Sequence, residues 1–182
     1  MKTLIAGVGG YLPEKVVTND DLAKMMDTSD EWIVERTGIK QRRWVEKETG
    51  ASDLAVQACH EAIERAGISL GDIDCIVLAT LSPDHTFPGT ACFLQQKLGL
   101  AGIPALDVRN QCSGFIYSLS VADAWIKTGQ YSCVLVVGTE VHSTGLDKTT
   151  RGRDVTCLFG DGAGAVILVP GEDDGRGIMS TH

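Results

Sequence analysis

The chain has 182 residues, a formal net charge of −8, 43% hydrophobic residues and 22% charged residues, which together predict one globular domain over residues 1–182 with a sizeable core. The acidic balance argues against a nucleic-acid-binding protein, whose binding surface needs an excess of Lys and Arg. No stretch is apolar for long enough to span a membrane, and no secretory signal precedes the first strand-like segment, so we expect a cytoplasmic protein.

Strand-like and helix-like segments alternate along the chain, which predicts an α/β fold built on one five-stranded, largely parallel sheet with a few antiparallel departures. Strands are expected at 3–9, 74–80, 104–108, 132–138 and 163–169, and helices at 19–26, 29–36, 52–66, 90–98 and 113–127. Ser52 is expected to cap the third helix and Gly67 to end it, because Ser favours N-caps and Gly accepts left-handed geometry.

The six cysteines form no Cys-x-x-Cys pair and the four histidines show no metal-ligand spacing. This usage is typical of a reducing compartment, so we expect neither disulfides nor a bound metal.

Cys112 is the most informative residue, because it lies where a predicted strand turns into a predicted helix. A thiol at a helix N-terminus faces unpaired backbone N–H groups and the positive end of the helix dipole, and both favour the thiolate nucleophile. The turn also resembles a nucleophile elbow, with sulfur in place of the hydroxyl. The alternative is a small, buried, apolar Cys.

The helix after Cys112 carries apolar residues on every side, from Phe115 to Ile126. A helix of this kind is typically buried on all sides, and this one is too short to cross a membrane. It is therefore expected in the middle layer of a multilayered protein.

Three further features have both a functional and an ordinary interpretation. Arg36, Lys40, Arg42 and Arg43 form a basic run without an acid, which is either solvated surface or a docking patch for an acidic partner. Trp32 and Arg36 share one helix face, where they could stack a purine and hold a phosphate, or Trp32 could belong to the core. The glycine-rich segment 159–165 precedes a strand rather than a helix, which favours close backbone packing over a phosphate loop.

Taken together, several segments resemble β-ketoacyl-acyl carrier protein synthase III, a condensing enzyme of the thiolase fold that starts bacterial fatty acid synthesis. They are Ile5–Pro13, Asp30–Ile39 with Arg42 and Arg43, Phe87–Pro88, Asn110–Phe115 and Phe159–Ala165. The resemblance implies one five-stranded half of a layered αβαβα architecture. It also implies an acyltransferase in which Cys112 takes an acyl group, commonly acetyl, from coenzyme A and then condenses it with malonyl-acyl carrier protein.

The resemblance also implies roles for individual residues. Trp32 would stack on the coenzyme A adenine with Arg151 on the other face of the base, and Thr28 would contact the adenine. Arg36 and Thr37 would line the pantetheine entrance, and Phe87 would enter the acyl pocket of a second subunit in a homodimer. Arg36, Lys40, Arg42 and Arg43 would dock the acyl carrier protein. No cofactor is implied beyond the coenzyme A thioester substrate.

The family's His and Asn oxyanion donors belong to a second half of the fold, and no Asn follows Asn110 in this chain. We therefore expect the N-terminal half of the enzyme, unable to condense alone and exposing a large apolar face. Two alternatives remain open: a related thiolase-fold condensing enzyme of secondary metabolism, and a non-catalytic acyl-binding subunit.

Overall fold

The computed structural model describes residues 2–172 and 175–181. Its strands are β1 (Lys2–Tyr11), β2 (Val16–Thr18), β3 (Gln41–Arg43), β4 (Cys75–Ala79), β5 (Ala105–Val108), β6 (Val134–Val141) and β7 (Asp161–Gly171). Its α-helices are α1 (Asn19–Ala23), α2 (Asp30–Thr37), α3 (Ala51–Ala66), α4 (Thr90–Leu98), α5 (Gly114–Lys127) and α6 (Arg153–Thr156). Short 3₁₀ turns cover Leu70–Asp72, Gln111–Ser113 and Thr150–Gly152.

The five predicted strands form one mixed sheet in the order β1-β7-β6-β4-β5, so the α/β prediction is confirmed. β4 pairs in parallel with β5 and β6, whereas β7 pairs antiparallel with β1 and β6. The sheet is therefore less parallel than expected, since half of its strand junctions are antiparallel.

A second sheet, in which β2 and β3 pair antiparallel although α1 and α2 lie between them in the chain, was not predicted. Each of its strands has three residues, too few for an alternating hydrophobic pattern to appear. β3 lies in a polar stretch for which no strand was predicted, and it carries Arg42 and Arg43.

The sheet separates two apolar layers, because successive side chains of a strand point to opposite faces. On one face, Ile76 and Leu78 of β4 pack with α3 and α4. On the other, Cys75 and Val77 pack with Ala122 and Ile126 of α5. Gly67 ends α3 as predicted, and Gly99 ends α4, both in left-handed conformation.

The thin alanine face of α3 lies directly on β1. A side chain at Gly7 would collide with the carbonyl oxygen of Ala62, and one at Gly9 with that of Ala58. Only glycine allows this close approach, so the packing of β1 on α3 depends on both glycines.

The start of α3 differs from the prediction. Gly50 is the N-cap, and Ser52 is buried in the first turn. The Ser52 hydroxyl donates to Asp84 Oδ1 at 2.7 Å, and its backbone N–H donates to the same carboxylate. The carboxylate of Asp84, which is distant in sequence, therefore accepts a backbone hydrogen bond at the start of α3, a role that was expected of the Ser52 side chain.

Among the helices of the described residues, none combines the length and apolar character that crossing a bilayer requires.

Candidate active site

Cys112 lies on a tight turn between the edge strand β5 and the helix α5, as predicted from the strand-to-helix junction. β5 ends at Val108, residues 111–113 form a 3₁₀ turn, and α5 begins at Gly114. Gln111 has a φ of 45°, a left-handed conformation that costs free energy for a residue with a side chain. The strained residue directly before the cysteine supports the comparison with a nucleophile elbow.

The turn presents the Cys112 thiol to solvent. Asn110 closes the turn: its Nδ2 donates to Ser113 Oγ, which in turn donates to the Asn110 carbonyl oxygen, both at 3.0 Å. At the helix start, Gly114 approaches Ala79 of β4. The small residue lets α5 begin against the sheet and leaves the thiol outside the core, which excludes the buried, apolar alternative for Cys112.

Four of the other cysteines behave as core residues. Cys59, Cys75, Cys133 and Cys157 are buried. Burial raises the pKa of Cys75 and Cys133 to about 11 and raises that of Cys59 and Cys157 as well. A thiol kept protonated is a poor nucleophile. Cys92 and Cys112 are the exposed thiols.

The outer side of α5 is not covered, so the prediction of a helix buried on all sides is wrong for that side. Ile116 is 64% exposed and Tyr117 is 53% exposed. They line a cleft of about 410 Å³ beside the Cys112 turn, with Ile178 on its far wall. The predicted exposed apolar face is confirmed, and at the same sheet face Ile5, Val8 and Leu106 are also exposed.

Trp32 is the centre of a second cluster. It lies on α2, partly buried against the core, with the Arg36 guanidinium carbon 4.5 Å from its ring centroid and that of Arg153 at 4.8 Å. The three side chains line an open cleft of about 530 Å³ together with Thr37. An aromatic ring beside two guanidinium groups can stack a purine base and attract phosphate.

The structure brings Arg153, and not the predicted Arg151, to Trp32. Arg151 is 89% exposed, and its Nε donates to Asp147 Oδ2 at 2.8 Å. Hydrogen bonds from Thr149 and then Arg151 lower the pKa of Asp147 to about 2. Arg151 and Arg153 flank Gly152, and the sequence held no signal to choose between them.

Thr28 and Thr37 stand at the two ends of α2. The Thr28 hydroxyl is buried and has no hydrogen-bond partner among the described residues, and Thr28 does not line the Trp32 cleft. Thr37 Oγ1 donates to the Ile33 carbonyl oxygen at 2.7 Å and accepts from Ile39 N–H at 3.0 Å. Thr37 therefore holds the helix end that borders the Trp32 cleft.

The predicted basic patch is wrong for Arg42. Arg42 is 6% exposed, and its guanidinium group donates to neighbouring acceptors inside the fold. Arg43 Nη1 donates to the carbonyl oxygens of Pro13 and Glu14, both at 3.1 Å. Arg36 and Lys40 are the members of the run that remain exposed.

Phe87 is 89% exposed on the segment 80–89 between β4 and α4, which we call the Phe87 loop. Glu140 of β6 accepts from Leu81 N–H at 2.8 Å and from the Ser82 hydroxyl at 2.6 Å. After the loop, Asp107 of β5 accepts from the first backbone N–H groups of α4. The loop is thus fixed at both ends, and Asp84 ties its middle to α3.

The glycine-rich segment 159–165 forms the start of β7 rather than a phosphate loop, as expected. Its acidic member has a role that was not foreseen. Asp161 is buried and accepts from Val45 N–H at 2.7 Å and from Ser143 N–H at 2.8 Å. One carboxylate therefore joins the segments that follow β3 and β6.

These features define a class. An exposed cysteine on a strained turn at the start of a helix, carried by the sheet order found here, is the arrangement of the condensing enzymes of the thiolase-like fold.

Comparisons with known proteins agree with this assignment to a class. The family described as 3-oxoacyl-[acyl-carrier-protein (ACP)] synthase III matches residues 106–182. The chain is 55% identical over 179 residues to beta-ketoacyl-[acyl-carrier-protein] synthase III of Methylococcus capsulatus, covering 98% of this chain and 54% of that protein. The crystal structure of the Aquifex aeolicus synthase III superposes with a TM-score of 0.90 at 49% identity, covering 94% of this chain and 55% of that one.

The chain is similar over nearly its whole length to part of the β-ketoacyl-acyl carrier protein synthases III. It spans about half the length of the curated relatives it matches.

Proposed function

We propose that the chain provides the acyl-accepting cysteine and the coenzyme A site of a synthase III. The Cys112 thiolate attacks the thioester carbonyl of an acyl-coenzyme A, the coenzyme A thiolate leaves, and the acyl group remains on Cys112. Loss of carbon dioxide from malonyl-acyl carrier protein then generates a carbanion that attacks the acyl group and releases the Cys112 thiolate. The product is a 3-oxoacyl-acyl carrier protein.

The single observation that carries this proposal is the setting of Cys112. Its thiol is exposed at a helix start and follows a residue held in left-handed conformation, whereas the cysteines of the core are buried. A structural role would not require the exposure or the strain.

The Trp32 cleft is proposed to hold the nucleotide end of coenzyme A. Trp32 supplies the stacking surface, and Arg36 and Arg153 supply positive charge beside it. Thr37 lines this cleft, whereas contacts of Thr28 and Arg151 with coenzyme A remain proposals from the resemblance alone. The proposed reaction uses no metal and no cofactor other than the thioester substrate.

The partners are also proposals. They are the acyl carrier protein, a second copy of the chain that receives Phe87, and the other half of the fold, which would cover the exposed side of α5. We also propose that the chain acts in the cytoplasm, where it would meet these substrates.

The test is incubation of the 182-residue chain with acetyl-coenzyme A, followed by intact-mass measurement and peptide mapping. We expect one acetyl adduct, on the peptide that contains Cys112. Acetylation confined to another residue, or none at coenzyme A concentrations that saturate the Trp32 cleft, would contradict the proposal.

Trp32→Ala is expected to weaken coenzyme A binding. Stacking of a base on an aromatic side chain is worth about 1–3 kcal/mol, which corresponds to a dissociation constant raised about 5- to 150-fold. The acylation rate at saturating acetyl-coenzyme A should change little. Titration calorimetry with coenzyme A measures the effect, and an unchanged dissociation constant would return Trp32 to a purely structural role.

Lys40→Glu is expected to weaken carrier-protein binding. Lys40 is exposed and has no ion-pair partner among the described residues, so its charge is available to an acidic partner. A surface charge pair is worth up to about 1 kcal/mol, or about fivefold in affinity. Arg65→Glu on α3 is the matched control. Equal carrier-protein affinities of the two variants would show that Lys40 is solvated surface without a docking role.

A further inference from the structure

The buried guanidinium group of Arg42 joins two elements that are separate in the sequence. Its Nη1 donates to Asn19 Oδ1 at 2.8 Å and to the Val17 carbonyl oxygen at 3.3 Å. Its Nη2 donates to the Cys157 carbonyl oxygen at 3.0 Å. One side chain thus reaches from the β2-β3 sheet to the start of α1 and to the end of α6.

The Asn19 branch continues to α2. Asn19 Nδ2 donates to Asp30 Oδ1 and to the Ile39 carbonyl oxygen, both at 2.8 Å. Asp30 is the first residue of α2, and Ile39 follows the helix end. The amide of Asn19 therefore ties both ends of the helix that carries Trp32 and Arg36 to the Arg42 guanidinium group.

The Cys157 branch continues to α6. Cys157 is the residue that ends this helix, and Arg153 is the residue that begins it. Arg153 also donates to the Asp27 carbonyl oxygen at 2.9 Å. The position of the Arg153 guanidinium group over Trp32 therefore depends on how α6 is anchored.

Burying the Arg42 guanidinium group in this way costs folding free energy, which argues that its role goes beyond filling space. Arg42 is buried, yet its acceptors are two carbonyl oxygens and an amide oxygen, and its Nε has no acceptor among the described residues. A buried cation without a carboxylate partner loses hydration that neutral acceptors only partly replace.

We propose that Arg42 is a positioning residue that holds α2 and α6 in register, so that Trp32, Arg36 and Arg153 form one nucleotide-binding site. The inference rests on the proposed function of that site. It replaces the expectation that Arg42 docks a protein partner with a role inside the fold, and it assigns Arg42 no contact with the ligand.

The test compares two acyl donors, acetyl-coenzyme A and acetyl-pantetheine, which lacks the nucleotide. Acylation of Cys112 is followed by mass spectrometry at several donor concentrations. Arg42→Lys keeps the charge but cannot reach both branches. We expect it to raise the half-saturating concentration of acetyl-coenzyme A about tenfold, similar to the loss of a supporting residue behind metal ligands. The value for acetyl-pantetheine and both maximal rates should stay unchanged.

Arg43→Lys is the matched control, because Arg43 lies next to Arg42 in the same strand but contacts Pro13 and Glu14 instead. It should leave both donors unaffected. If Arg42→Lys changes both donors equally, or neither, the positioning role is overturned. A parent chain that does not prefer acetyl-coenzyme A to acetyl-pantetheine would instead disprove the nucleotide site itself.

If Arg42→Lys does not fold, the Asn19→Asp variant tests the positioning role of Arg42 instead. The carboxylate still accepts from Arg42, but it cannot donate to Asp30 or Ile39, so only the branch to α2 is cut. We expect the same selective increase for acetyl-coenzyme A. Wild-type behaviour of this variant with both donors would contradict the inference.

Discussion

Cys112→Ser is expected to abolish acylation of the chain by acetyl-coenzyme A. A serine hydroxyl remains protonated near neutral pH, and this turn shows no adjacent base to activate it, whereas a thiol supplies thiolate. The loss should reach about three orders of magnitude or more, as is typical when a nucleophile is removed. Intact-mass measurement over time gives the rate.

Cys92→Ser provides the control for this variant. Cys92 is the other exposed thiol of the described residues, so its replacement tests whether exposure alone is enough for acylation. It should acylate at the parent rate. Persistent labelling of Cys112→Ser together with loss of labelling in Cys92→Ser would identify Cys92 as the nucleophile.

The second large effect concerns carbon–carbon bond formation. A polypeptide of these 182 residues is expected to form acetoacetyl-carrier protein at least about 10⁴-fold more slowly than a full-length relative. The resemblance assigns a His, an Asn and one backbone N–H to the other half of the fold. Each such donor contributes roughly 2.7–4 kcal/mol to the transition state, although donors that act together are not additive.

Adding a separately prepared C-terminal half should restore condensation and solubility together, because the same surface would cover Ile116 and Tyr117 and bring the missing donors. The measurement is acetoacetyl-carrier protein formation with and without that half. A rate near that of a full-length relative from the chain alone would show that its own groups are sufficient. His142 would then be examined first, although its ring contacts Glu140 and Phe159.

The main elements of the fold could be predicted because their signals are local. Apolar strands, the glycines that end α3 and α4, and the cysteine at a strand-to-helix junction are all visible in short windows of sequence. The β2-β3 sheet was missed because its strands are too short for a pattern. Ser52 was misassigned because the group that caps α3 comes from Asp84, far away in the chain.

The candidate site was harder to predict, because its residues act through distant contacts. A run of four basic residues gives no indication that Arg42 points inward while Lys40 points outward. The choice between Arg151 and Arg153 depends on how a helix of four residues lies against α2. Such differences arise from tertiary packing, which leaves no trace in the local pattern.

The anchoring of the Phe87 loop has a consequence for association. A loop with an exposed aromatic tip usually loses conformational entropy when it binds, and this loss weakens the complex. Here the backbone on both sides of Phe87 is fixed by carboxylates of the same chain. The entropy is therefore lost during folding, before a partner arrives. In the proposed association of two copies, the chains would dock largely as rigid bodies, and Phe87 would need to adjust only its own rotamer.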